Sequence, residues 1–120
     1  MHELGIAQDI LDVVKQSVPQ DQVSAVRWIR IRVGQLSGIV PDSLEFCFQA
    51  IVNDTAMQRA ALAIEQVPTI FQCRKCSHRF QVSDWEYLCQ ACESSDLEIV
   101  SGKELHIVEI ELEEESDRAI

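Results

Sequence analysis

The sequence predicts an α+β protein, with two helices packed on a three-stranded sheet and a small cysteine module inserted before the last strand. Three observations carry this. Apolar residues recur at helical spacing over 3–18 and again after Pro41. They alternate at strand spacing over 25–33 and 105–112. Two Cys-x-x-Cys pairs fall between the second and third strands.

The first helix is expected over 3–18. Leu4, Ala7, Leu11, Val14 and Val18 recur at spacings of three and four with Ile10 beside them, and Pro19 marks the end. The strand over 25–33 turns Ile29, Ile31 and Val33 one way and Trp28, Arg30 and Arg32 the other. Gly34 and Gly38 bracket a loop. Pro41 and Asp42 open the second helix, whose expected apolar face is Leu44, Cys47, Phe48 and Ile51. A short alternating segment over 61–67 faces Leu62 and Ile64 inward and stops at Pro68. After the cysteines, His106, Val108, Ile110 and Leu112 share one parity and are expected on the core side of a third strand. The expected division is 1–68, the module at 69–102, and 103–120 as last strand plus tail.

The chain has 120 residues, 47% of them hydrophobic, so a folded core is within reach. Ten basic and twenty acidic side chains give a net charge of −10. That balance argues against nucleic acid and against anionic membrane surfaces, both of which need clustered Lys and Arg. No apolar run approaches the roughly 20 residues of a membrane span. Met1-His2-Glu3 shows no basic segment leading into an apolar one, so no secretory signal is read and a cytoplasmic location is expected. The excess acid is concentrated at 103–120, with two basic and seven acidic residues. Glu113-Glu114-Glu115-Ser116-Asp117 reads as a solvated, frayed tail.

In a reducing compartment, paired cysteines point to metal before disulfide. Cys73/Cys76 and Cys89/Cys92 can each wrap half a tetrahedron of thiolates around one Zn²⁺, and the twelve residues between Cys76 and Cys89 can return the chain as a hairpin. Iron in a rubredoxin-like site is the nearest rival. With four protein thiolates no coordination position stays open, so the site is structural. A module of about 30 residues is too small to fold by burial alone, and its metal must supply much of the energy. Phe80, Leu97, Trp85 and Tyr87 are the candidates for its mini-core. Cys47 reads as a small buried hydrophobe and His106 as a structural histidine. His78 is placed to hydrogen-bond a thiolate, but a histidine there is more often exposed.

At the start of the chain, the Met1 amine, the deprotonated His2 amide and His2 Nδ1 can close a five- and a six-membered chelate ring, which favours Ni²⁺ or Cu²⁺. Glu3 can add a nitrogen or a carboxylate. The plain alternative is a histidine at a frayed end. Taken together, Met1-His2-Glu3-Leu4 opening a helix, Gly34-Gln35-Leu36-Ser37 after the first strand and the four-cysteine ribbon resemble the HypA/HybF family of hydrogenase maturation nickel metallochaperones.

That resemblance implies transferable nickel at Met1, His2 and Glu3 and structural zinc at Cys73, Cys76, Cys89 and Cys92. It implies a GTPase partner and the large subunit of nickel-iron hydrogenase as recipient, with the protein a monomer or weak homodimer. No phosphate-binding loop and no catalytic triad is visible, so a carrier is expected rather than an enzyme. The alternative is a zinc-ribbon adaptor with no nickel role.

Overall fold

The computed structural model describes residues 2–82 and 87–114. Met1, Trp85, Glu115, Ser116 and Asp117, all singled out by the sequence, lie outside the described residues. The chain divides into two compact units. One holds Met1–Arg32, Ile39–Glu65 and His106–Ile120; the other holds Val33–Gly38 and Gln66–Leu105.

In the first unit, helix α1 (Glu3–Ser17) has an acid in its first turn and Lys15 in its last, matching the helix dipole at both ends. The Val18 N–H still donates to the Val14 carbonyl, and Pro19 prevents a further turn. Ala7, Ile10, Leu11 and Val14 are buried. Leu4, expected on this face, is instead 57% exposed. It sits in the first turn, which has helix on one side only, and the buried stripe starts one turn later.

Strand β1 (Val26–Gly34) follows a short 3-10 segment at Gln20–Ala25 and alternates as its sequence demands, with Ile29, Ile31 and Val33 buried. Helix α2 (Pro41–Val52) begins on its proline, where the missing N–H costs nothing. It buries Leu44, Phe48 and Val52 at four-residue spacing, while Cys47 is only half-buried. The two helices pack on each other and complete a two-layer arrangement with the sheet.

That sheet has the order β2–β1–β6, with β2 at Ala61–Val67 and β6 at Leu105–Leu112. The outward arginines of β1 reach across to both neighbours: Arg32 pairs with Glu65 on β2 at 2.6 Å and Arg30 with Glu109 on β6 at 3.8 Å. Strand β6 departs from its expected parity. His106 is exposed and Val108 is 49% exposed, whereas Ile107, Ile110 and Leu112 are half-buried. An edge strand has a partner on one side only, so the alternation that fixes register in β1 is weaker here. Glu113 is a second departure. Its side chain is only 7% exposed and accepts from Arg27 Nη2 at 2.7 Å and Arg59 Nη1 at 3.3 Å, while its N–H donates to Ala25. The acidic run is therefore anchored at its first residue.

The second unit carries three short strands, β3 (Ile70–Cys73), β4 (Arg79–Gln81) and β5 (Leu97–Ser101). Strand β3 is central and antiparallel to both neighbours, pairing Phe71 with Phe80 and Cys73 with Leu97. Its core is Phe71, Cys73, Phe80 and Cys89, with Val82 and Leu97 packed against it. Phe80 and Leu97 were expected. Tyr87 joins from the side, its ring 6.0 Å from that of Phe71. Phe71 has the central place, which no spacing in the sequence marks out.

Candidate metal centre

Each cysteine pair sits in a turn that closes on itself. In the first, the Cys73 N–H donates to the His78 carbonyl and the Ser77 N–H to the Cys73 carbonyl, both at 2.9 Å. In the second, the Cys89 N–H donates to Ser94 and the Glu93 N–H to the Cys89 carbonyl, both at 2.8 Å. The residue after each second cysteine is left-handed, Ser77 at φ 64° and Glu93 at φ 61°. The two turns are the same device used twice.

Their sulfurs converge. Cys73 Sγ lies 3.6 Å from Cys92 Sγ and Cys76 Sγ 3.5 Å from Cys89 Sγ, and all four lie within 4.8 Å of one another. A tetrahedron with metal–sulfur arms of about 2.3 Å has edges of about 3.8 Å. Cys73 and Cys89 are buried and Cys76 and Cys92 exposed, so one sulfur of each pair is set in the core and the other closes the cage from outside. Among the described residues this is the one cluster of three or more metal-ligating side chains.

Backbone donors pre-charge the cage. The N–H groups of Cys76 and Lys75 pull the Cys73 thiol down to about 6, against the effect of burial. Cys89 is also lowered, although burial opposes it, by N–H groups of Cys92 and Ala91; the Ala91 N–H lies 3.3 Å from its sulfur. Cys92 is pushed up to about 12: the Ser94 N–H favours its thiolate, but Cys73, burial and the other two thiols outweigh it. Cys76 is raised in the same way, the N–H of His78 being outweighed by Cys89, burial and Cys73. Four thiols this close cannot all ionise without a cation among them. A soft dication matches the donor set. The four-cysteine cluster has the geometry and the donor chemistry of a structural metal site.

The other sequence candidates fall elsewhere. His78 is exposed and stacks on Phe80 with ring centres 5.8 Å apart. His106 is exposed on β6, and Cys47 is not part of the sulfur cluster.

His2 is exposed and occupies the N-cap of α1, its carbonyl accepting from the Ile6 N–H at 3.1 Å. No helical bond uses the His2 or Glu3 N–H. Glu3 is half-buried, and its Oε2 accepts from the Val40 N–H at 3.2 Å, just ahead of α2. That bond, with one from its own N–H, holds the Glu3 carboxyl below its ordinary 4.5. His2 and Glu3 belong to the first unit and the cysteines to the second.

Comparison with known proteins matches residues 1–112 to the family described as "Hydrogenase/urease nickel incorporation, metallochaperone, hypA". The hydrogenase maturation factor HypA of Desulfosudis oleivorans is 39% identical over 115 residues, covering 95% of this chain and all of that protein. That of Geobacter metallireducens is 39% identical over 113 residues, covering 94% of this chain and all of the other. Among solved structures, the nickel metallochaperone HypA of Helicobacter pylori has the same fold, with a TM-score of 0.63 at 20% identity over 96% of this chain and all of that one.

Proposed function

The chain belongs to the HypA family of hydrogenase and urease nickel-incorporation metallochaperones, and from this we propose that it carries Ni²⁺ on Met1, His2 and Glu3. With a GTPase partner it hands the ion to the large subunit of nickel-iron hydrogenase in the cytoplasm, while Zn²⁺ on Cys73, Cys76, Cys89 and Cys92 holds the second unit in shape. Nickel is the cargo and zinc the resident metal. The nickel role belongs to 1–68 and 103–120 and the zinc role to 69–102. The family's work is maturation rather than catalysis, and the chain acts alone or as a weak homodimer. Among the described residues no helix is long and apolar enough to cross a membrane.

One observation supports the nickel reading above the others: His2 is exposed at the cap of α1, where its backbone nitrogen owes nothing to the helix. Deprotonating that nitrogen to bind a metal breaks no helical hydrogen bond. The carbonyl, which the helix does use, stays in place on the Ile6 N–H. A dication at the positive end of a helix is disfavoured. The ionised amide and the Glu3 carboxylate, held charged by Val40, offset this. An exposed terminal set can be exchanged between partners, which suits delivery.

The test is His2→Ala in untagged protein, with nickel and zinc measured separately. Nickel affinity is expected to fall at least ~100-fold with zinc unchanged. Unchanged nickel binding would support the adaptor reading instead.

A further inference from the structure

We propose that the metal at the four cysteines also orders a loop that supplies none of its ligands, residues 33–38, through a backbone clasp at the far end of strands β3 and β5. The inference rests on zinc occupying the cysteine cage.

All parts of the clasp lie in the second unit. The Gly34 N–H donates to the Glu104 carbonyl and the Leu36 N–H to the Gly102 carbonyl, both at 2.7 Å. The Gln35 side-chain oxygen accepts from the Thr69 N–H at 3.1 Å, and the Ser101 hydroxyl donates to the Pro68 carbonyl at 2.8 Å. Thr69 is itself buried. The Gly102 N–H is held by the Glu104 carboxylate at 2.7 Å. The approach is so close that a Cβ on Gly34 would lie 2.0 Å from the Gly102 carbonyl oxygen, and Gly102 adopts φ +122°. Both positions therefore require glycine.

The path from metal to clasp is short. Strand β3 ends on Cys73, and the Arg74 N–H donates to Asp96, just before β5. At the opposite end, Ile70 pairs with Ser101, which leads directly to Gly102. Two of the four buried residues that hold β3 and β5 together, Cys73 and Cys89, are the cage's own sulfurs. Strands of four and five residues over so small a core do not persist alone. When the cage opens, the Gly102 and Glu104 carbonyls lose their placement, and the Gly34 and Leu36 amides lose their acceptors.

The experiment is residue-resolved amide exchange on the full chain before and after chelation of its zinc, with zinc content measured first. Exchange at Gly34 and Leu36 is expected to rise at least ~10-fold while Leu11 and Val14 in α1 keep their protection. Retained protection at Gly34 and Leu36 overturns the proposal. If α1 also loses protection, the zinc affinity of Gln35→Ala, read by equilibrium competition with a chromogenic chelator, decides. Coupling is reciprocal, so zinc should bind at least ~5-fold more weakly than to the unaltered chain, and an unchanged affinity overturns the proposal. Protein purified without any zinc overturns both this inference and the metal assignment beneath it. Zinc present with an indifferent loop overturns this inference alone.

Discussion

The sulfur cage and the start of α1 are built on opposite plans. In the cage, every ligand comes from a turn closed by its own backbone bonds, and two of the four sulfurs are buried core residues. At the start of α1, His2 is exposed, its side chain makes no cap, and Glu3 is tied to Val40 by one hydrogen bond. A metal in the first setting is integral to the fold; one in the second can be released without disturbing it. Permanence and transfer ask for different surroundings, and the four cysteines lie in one unit while the proposed nickel ligands His2 and Glu3 lie in the other.

The largest expected effect breaks the closed plan. Cys89→Ser removes a ligand and a core residue together, and metal binding contributes on the order of 10 kcal/mol to modules of this kind. Zinc should fall to near zero and the β3–β5 pairing should disappear, as read by metal analysis and amide exchange, while nickel binding at the terminus persists. Loss of both metals together would show that the two plans are not separable.

A smaller effect sharpens the contrast by leaving both metal sites alone. Glu113→Gln removes the charge that Arg27 and Arg59 share. Because Arg59 is half exposed, the cost is put at about 1–2 kcal/mol, below that of a fully buried pair. A lower Tm with unchanged zinc and nickel stoichiometry is the expected result.

The smallest effect concerns Glu3. Its carboxyl is held below 4.5 chiefly by the Val40 N–H. A depressed acid adds stability above its ordinary range and loses it as pH falls through the lowered value. The Val40 amide should therefore stay protected from pH 7 down into the ordinary carboxyl range and loosen only as the pH falls through the lowered value.

Much of this was legible in the sequence because it is periodic or evenly spaced. Helix α1 from Ala7 onward, the alternation of Ile29, Ile31 and Val33, and the two cysteine pairs each state their geometry locally. What stayed hidden depends on residues far apart. Glu113 looks like one more acid in a solvated run until Arg27, 86 residues away, and Arg59, 54 residues away, close on it. Phe71 gains its central place from strands on both sides, Phe80 and Ile99. Gly34 reads as a loop residue, and only the Gly102 carbonyl beside it explains why no side chain fits. His106 was misplaced because edge strands give alternation little to act on.

Each cysteine turn is stitched within itself, 73–78 in one case and 89–94 in the other. Each pair is thus shaped by its own backbone before the other arrives, and the sulfurs meet as two finished halves.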